Sequence, residues 1–264
     1  MIQVNNLQDN ANLTQVAQLG SYIVYEHQKD LSVTPYSAAN AYFLQEMNFK
    51  KRQVLCVMNG NAVRMQAGAM QWIAGQVEMT SNIKGVGDFL GKAIKGAATG
   101  ESAAKPLYQG YGYVMLEPTY KYILLENVAN WGSGMVLDDG MFLACDASLQ
   151  ESVVARRNVS SALLGGEGFF NLSLSGQGIA VLESPVPREE LIELVMQDDV
   201  VKIDGNMAVA WSNTLQFTVE KSSKSLLGSA VSGEGFVNVY RGSGRILMAP
   251  TVAGTTMSQK NSPK

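Results

Sequence analysis

Residues 165–178 read GGEGFFNLSLSGQG, with a glycine pair at each end of a short alternating run. Glycine pairs also occur in phosphate-binding loops, where a strand leads directly into a helix. Here the residues after Gly168 alternate between apolar and polar and soon reach a second pair, Gly176 and Gly178. Such alternation predicts a β-strand, and glycine permits the positive φ that turns require. The stretch therefore indicates strands and turns of an all-β fold, in which these glycines are structural.

The same pattern returns elsewhere in the chain, which predicts an internally repeated fold. GEGF begins at Gly166 and again at Gly233, each time followed by an asparagine, a strand-like run and another glycine pair. A more degenerate third copy begins near residue 66, so we expect three related β units, at about 52–127, 128–184 and 185–250. The residues that mark these units are Gly68, Met70, Gly110, Gly112, Gly140, Gly166, Gly168, Gly176, Gly178, Gly205, Gly233, Gly235, Gly242 and Gly244.

Apolar runs of strand length lie between the glycine clusters, and the chain from residue 107 onward is predicted to be almost purely β. Several short strands at close spacing favour a sandwich or barrel. The runs with the best alternation or β-branched and aromatic content are 169–174, 179–182, 207–211, 215–219, 236–240 and 246–248.

Three segments fall outside the repeat. Residues 1–51 form an N-terminal extension, within which 37–49 fits a helix or a strand equally well. Residues 82–105 carry apolar side chains at helical spacing and several lysines, which predicts a short helical insertion in the first unit. The polar stretch 251–264 is predicted to be a disordered tail.

Composition limits the classes of function. The chain has 264 residues, 46% hydrophobic and 16% charged, with a formal net charge of −3. An acidic balance disfavours a general nucleic-acid binder. The first 28 residues lack a basic residue and a continuous apolar core, and no apolar run approaches the roughly 18 residues of a membrane span. These features predict a cytoplasmic protein.

Few residues of the chain are candidates for catalysis or metal binding. His27 is the only histidine, and Cys56 and Cys145 are the only cysteines, so the usual zinc and cupin-type ligand sets are disfavoured. The cysteines are expected to be reduced and buried, and His27 to lie at the surface. The pairs at 138–139 and 198–199 are adjacent aspartates that could contribute to a carboxylate-only cation site, although solvated turn residues are the favoured interpretation.

Nucleophilic and nucleotide-dependent chemistry is also disfavoured. Any Ser-His or Cys-His arrangement would depend on His27, and the chain has no G-x-S-x-G elbow. Residues 85–93, GVGDFLGKA, only approach a phosphate-binding loop, because Val86 replaces the first glycine and Ala93 the hydroxyl residue that would bind Mg²⁺. No catalytic, cofactor-binding or metal-binding residue is assigned.

Three groups of residues resemble the AIM24 family: 63–70 with 79 and 85–101, then 163–184, then 203–211 with 233–250. The family is common in bacteria, and the resemblance spans about 52–250. It implies a fold like that of the trp RNA-binding attenuation protein, an all-β arrangement built from repeats. It implies no established enzymatic activity and no cofactor.

The leading hypothesis for function is a non-enzymatic β-repeat scaffold or binding protein that forms a homo-oligomer, since open sheets need their edges covered. One alternative is a small-ligand or RNA-binding module that uses clefts between repeats. Another is a protein that contacts a membrane peripherally, or an unknown protein partner, through residues 82–105. The acidic charge makes nucleic acid the least favoured of these partners.

Overall fold

The computed structural model describes residues 2–80, 105–155, 170–221 and 236–251. It confirms the all-β prediction, with two curled sheets and one α-helix, α1 (Ala38–Glu46). The strands are β1 (Leu13–Leu19), β2 (Tyr22–His27), β3 (Arg52–Met65), β4 (Met70–Thr80), β5 (Leu107–Leu116), β6 (Tyr122–Asn127), β7 (Met135–Leu137), β8 (Phe142–Asp146), β9 (Gln150–Ala155), β10 (Phe170–Ser175), β11 (Ile179–Ser184), β12 (Ile192–Asp204), β13 (Ala208–Ser212), β14 (Gln216–Lys221) and β15 (Phe236–Met248).

Two antiparallel sheets contain all of these strands. The first sheet has eight strands in the order β1-β2-β3-β8-β11-β6, with β5 also paired to β3 and β4 to β5. The second has seven strands in the order β12-β15-β13-β7-β10-β9, with β14 also paired to β15. The middle unit contributes to both sheets, because β8 and β11 lie in the first and β7, β9 and β10 in the second.

The hydrophobic core consists of four clusters, of which the three largest lie between the sheets and within the curve of each sheet. The part between them includes Leu124 and Leu182 from the first sheet and Leu137 and Leu247 from the second. The first sheet curls around a second cluster of buried side chains, among them Tyr22, Val54, Met58, Val114 and Val181. The second sheet encloses an aromatic group in which the rings of Trp211, Phe217 and Tyr240 lie 5.1–5.3 Å apart.

Three of the motif glycines lie in tight turns. Gly68, Gly140 and Gly205 lie in the turns after β3, β7 and β12, with φ of +81°, +71° and +65°. L-amino acids rarely adopt such positive φ angles, whereas glycine does so readily. Each glycine therefore permits a tight turn at the corresponding place in its predicted unit. Gly176 and Gly178 lie in the turn between β10 and β11, as the alternating run between the glycine pairs predicted.

The prediction was wrong for the glycine pair at Gly242 and Gly244. Both glycines lie inside β15, a single strand that covers the two strands expected at 236–240 and 246–248. The neighbouring strand β12 pairs with both halves of β15. The register between the two strands shifts opposite the glycine pair, at a bulge in β12 between Met196 and Asp199. Glycine in a strand interior often marks a bulge rather than a turn, which is the case here.

The N-terminal extension belongs to the first sheet. β2 pairs with β3, and its Tyr22 and Val24 are buried in the core. Residues 38–46 of the ambiguous stretch form the helix. Residues 82–104 of the expected insertion, residues 252–264 of the expected tail, and Gly166, Gly168, Gly233 and Gly235 lie outside the described residues. No helix in the described part of the chain is long and apolar enough to cross a bilayer.

Candidate functional site

One candidate site is a cleft between the two ends of the curled eight-stranded sheet. Its volume is about 570 Å³, and β1 and β6 form its two sides. The curl of the sheet brings these strands to within 8 Å of each other between Cα atoms, although they are far apart in the strand order. Its lining residues are Val16, Ala17, Gln18, Leu19, Val24, Glu26, Asn48, Arg52, Tyr122, Ile123, Leu124, Leu125, Glu126, Pro187, Arg188 and Glu189.

A buried arginine holds one end of the cleft. The Arg52 side chain is only 4% exposed and forms an ion pair of 2.8 Å with Glu26. Its guanidinium carbon lies 3.9 Å from the centre of the Tyr122 ring. The same group donates hydrogen bonds to the backbone oxygens of Asn48, at 3.3 Å, and Lys50, at 3.2 Å. Because these partners come from β2, β6 and the segment before β3, Arg52 fixes the relative position of the cleft walls.

Glu126 anchors the other end of the cleft. It accepts hydrogen bonds from Trp131 Nε1 and from Arg188 Nε, each at 3.2 Å. Arg188 also pairs with Glu193, which Arg245 contacts at 3.1 Å. The carboxylates and cations near this end therefore form a connected network rather than isolated charges.

A second surface feature lies beside the first. Six large apolar side chains are exposed in one short segment around α1, and we call them the α1 patch: Leu31, Tyr36, Tyr42, Phe43, Met47 and Phe49. Tyr36 is fully exposed and Leu31 is 75% exposed. No residue of α1 is buried, so the fold does not use this helix to complete its core. Asn48 belongs to the cleft lining, which makes the patch and the cleft neighbours on the surface.

None of the described motif residues lines the cleft. Gly110 and Gly112 lie in β5 where β4 passes closely, and a Cβ at either position would lie about 2 Å from a backbone oxygen of β4. Met70 begins β4 and packs against the buried cluster inside the first sheet. The motif residues that the structure describes thus lie in strands and turns, while the cleft arises from the curl of the sheet. Nothing in the repeated glycine pattern predicted the position of the cleft.

The reactive groups found in the sequence are held in unreactive surroundings. His27 is half-buried, and its Nε2 lies 2.8 Å from Gln53 Oε1. Cys56 and Cys145 are free and buried, which confirms the prediction for both. Burial raises the pKa of the Cys56 thiol to about 12, and burial likewise raises the pKa of Cys145.

We expect neither thiol to react with Ellman's reagent at pH 8 in the native protein. The rise of the Cys56 pKa from 9.0 to about 12 lowers the thiolate fraction roughly a thousandfold, and burial blocks the reagent. Stopped-flow absorbance should show reaction only after guanidinium is added, with both cysteines reacting together. Rapid native labelling would contradict this expectation.

The two aspartate pairs lie in different surroundings. Asp138 is buried, not solvated as expected, and Asn171 Nδ2 lies 3.5 Å from its carboxylate. Asp198 and Asp199 are exposed and lie at the bulge of β12 rather than in a turn. Among the residues that the structure describes, no three histidine, cysteine or acidic side chains are grouped to hold a metal ion.

Comparisons with known proteins agree with this architecture. A family model described as "Mitochondrial biogenesis AIM24" matches residues 47–251. An uncharacterised protein of Streptococcus pyogenes serotype M6 is 29% identical over 198 residues, which cover 71% of this chain and 76% of that protein.

The fold also has a counterpart among solved structures. A crystal structure of a Streptococcus pyogenes protein superposes with a TM-score of 0.57 and 24% identity, covering 78% of this chain and 90% of that one. At this identity the structure supports the fold alone. The family match covers well over half of the sequence and runs through all three predicted units. The chain therefore belongs to the AIM24 family.

Proposed function

We propose that this protein is a non-enzymatic binding scaffold that self-associates through the α1 patch. The observation that carries the proposal is the concentration of six exposed large apolar side chains between residues 31 and 49. Scattered exposed apolar residues are normal on a protein surface, but a concentration of them in one short segment favours an interaction site. Four of the six are aromatic, the type enriched at protein interfaces.

The size of the patch suits a second copy of the chain. A large aromatic side chain buries about 200 Å². Scaled by their exposure, the six side chains present roughly 800 Å². A stable interface of standard size buries about 800 Å² on each partner. A two-fold axis through the patch would cover it with an identical apolar surface, which is how closed dimers form.

The charges around the patch favour a protein partner over an anionic membrane. The three consecutive cations after the patch are engaged: Lys50 and Arg52 pair with Glu26, and Lys51 pairs with Asp30 at 2.8 Å. Hydrogen bonds from Lys51 and Ser32 hold the pKa of Asp30 well below its ordinary value, so this pair stays charged. Cations that are already neutralised contribute little attraction to anionic lipid.

The described residues give catalysis little support. His27 is the histidine on which a nucleophilic mechanism would depend, and its Nε2 faces a glutamine amide rather than a serine or cysteine. Both cysteines are buried with raised pKa values, which opposes thiolate chemistry. These arrangements favour binding as the activity of this chain.

Self-association is tested by size-exclusion chromatography with light scattering. We expect a mass of twice the 28.4 kDa of the chain, or a higher multiple. The double variant Tyr36→Glu and Phe43→Glu should run as a monomer, because two carboxylates would be buried without partners at the interface. Val195→Glu is the matched control, since Val195 is 80% exposed on β12, far along the chain from the patch.

Two results would overturn the proposal. One is a monomeric wild-type protein at every concentration up to about 100 µM. The other is an oligomer whose mass is the same in the double variant, which would place the interface elsewhere. Circular dichroism of the double variant checks that it is folded, and the exposure of both substituted side chains makes a loss of fold unexpected.

A further inference from the structure

The outer face of the eight-stranded sheet, opposite the cluster inside its curl, carries aromatic side chains. Val114 of β5 belongs to the inner cluster, and the residues of a strand point alternately to opposite faces. Tyr111 and Tyr113 therefore lie on the outer face. In β4, which pairs with β5, Ile73 packs against the inner cluster, so Trp72 also lies outside. We call Trp72, Tyr111 and Tyr113 the aromatic face.

The chain covers only part of this outer surface. Leu7, from the segment before β1, packs there against a small cluster of four buried residues: Ile23, Tyr25, Leu55 and Met115. Trp72 and Tyr113 also pack against this cluster and are half-buried. Tyr111 does not belong to the cluster and is 66% exposed. The aromatic face therefore begins where the buried cluster ends.

The three rings come from neighbouring positions of the sheet. Tyr111 and Tyr113 are two residues apart on β5, about 7 Å along the strand. Trp72 is paired with Met115, so it lies diagonally from Tyr113, at about 7–8 Å. From Trp72 to Tyr111 the aromatic face thus extends over about 14 Å.

Tyr111 reaches over the neighbouring strand β3 because a glycine leaves room for it. A Cβ on Gly60 would lie 2.8 Å from the Tyr111 hydroxyl oxygen and 3.0 Å from the ring carbon that bears it. With no side chain at Gly60, the ring can lie close to the backbone of β3. The ring is therefore supported by the sheet while much of its surface remains available to a ligand.

Exposed amide side chains lie beside the rings. Asn59 of β3 and Gln76 of β4 are paired with Tyr111 on its two sides. Gln109 precedes Tyr111 by two residues on the same face of β5. All three amide side chains are exposed and form no hydrogen bond within the described part of the chain. Each can donate two hydrogen bonds and accept others, so together they suit a ligand rich in hydroxyl groups.

This part of the sheet carries almost no charge. Residues 53–59 of β3, 72–78 of β4 and 109–115 of β5 include one charged residue, Glu78. A surface that binds single-stranded nucleic acid combines aromatic rings with cations, and attraction to an anionic membrane also requires cations. The composition of the aromatic face and its surroundings therefore favours an uncharged ligand.

The exposed area favours a ligand smaller than a protein. A large aromatic side chain presents about 200 Å² when it is fully exposed, so Tyr111 offers about 130 Å². With the two half-buried rings, the aromatic face offers less than about 300 Å². A stable protein interface buries about 800 Å² on each partner, which the aromatic face does not reach.

We infer that the aromatic face binds a neutral β-1,4-linked glycan. The equatorial substituents of such a chain leave C–H groups on both faces of each sugar ring, and these groups pack against the electron-rich faces of aromatic rings. The hydroxyl groups at the edges of the sugar rings can bond to the amides of Asn59, Gln76 and Gln109. The inference does not depend on the proposed self-association, because no residue of the α1 patch belongs to the aromatic face.

Isothermal titration calorimetry of the full-length protein with cellohexaose and with chitohexaose tests the inference. At least one of these hexasaccharides should bind with a Kd below about 1 mM. The Kd should change less than twofold between about 0.05 and 0.5 M salt, since no ion pair contributes to binding. Tyr111→Ala should weaken binding at least tenfold, and Tyr111→Phe, which keeps the ring, should recover most of the affinity.

Tyr42→Ala is the matched control and should leave the affinity within twofold, because Tyr42 is 59% exposed but lies on α1. The absence of binding to both hexasaccharides at about 5 mM would overturn the inference. Equal weakening by Tyr111→Ala and Tyr42→Ala would show that the glycan does not bind at the aromatic face. Light scattering of Tyr111→Ala separates this inference from self-association: loss of an oligomer in this variant would make the aromatic face an interface between copies and overturn the inference.

Discussion

Gly110→Ala is expected to lower the free energy of unfolding by about 3–5 kcal/mol. A Cβ at this position would lie 2.0 Å from the backbone oxygen of Gln76, and the φ of +141° disfavours any side chain. Neither obstacle can be relieved by a rotamer change, because the contact is with the backbone of the paired strand β4. The two strands must separate or twist, which disturbs the buried Tyr108 and Val114 on the same strand.

Gly68→Ala is the matched control for this prediction. Gly68 also has a positive φ, of +81°, but a Cβ added there would meet no atom within 4 Å. The substitution should therefore cost only the conformational penalty, about 1–2 kcal/mol. Urea unfolding followed by tryptophan fluorescence measures both variants. Equal destabilisation of the two variants would show that the close approach of β4 and β5 does not constrain the fold.

Arg52→Ala is expected to lower the free energy of unfolding by about 3 kcal/mol. The substitution leaves Glu26, whose side chain is only 12% exposed, with Lys50 and the amide of Gln28, and it removes the cation from the Tyr122 ring. Breaking a buried pair by deleting one partner costs more than the pair itself contributes, because the remaining charge keeps its desolvation penalty. Arg52→Lys should recover part of the loss, since lysine restores the charge but not the planar group.

A surface ion pair of the same type gives the comparison. Arg245→Ala removes a side chain that is 37% exposed and pairs with Glu193, and we expect a loss below about 1 kcal/mol. Thermal and urea unfolding of both variants, under the same conditions, check the difference. If Arg52→Ala is no more destabilising than Arg245→Ala, Arg52 does not hold the cleft walls as the contacts indicate.

The fold was predictable where local chemistry decides the structure. The alternating run between the glycine pairs forms β10, and Gly68, Gly140 and Gly205 occupy turns that need positive φ. The prediction failed at Gly242 and Gly244 because the same local pattern serves a turn in one unit and a bulge in another. Which of the two forms depends on the partner strand β12, and its register is not visible in the glycine pattern.

The cleft was beyond prediction for a related reason. It lies between β1 and β6, whose residues are about a hundred positions apart and fall partly in the segment excluded from the repeat. β1 is half-exposed and mixes polar with apolar residues, so nothing in its sequence marked it as the edge of a site. The aromatic residues of the α1 patch are visible in the sequence, but their exposure depends on how the helix sits on the sheet.

The division of the middle unit between the two sheets also governs how the chain reaches its native state. The turn at Gly140 separates β7, which lies between β10 and β13, from β8, which lies between β3 and β11. Each sheet therefore contains strands from distant parts of the chain. The second sheet cannot form completely before residue 248, at the end of β15, has been synthesised and has left the ribosome. Contacts of such long sequence separation slow folding and leave strand edges uncovered for longer. Strand edges of both sheets therefore stay uncovered until late in the synthesis of the chain.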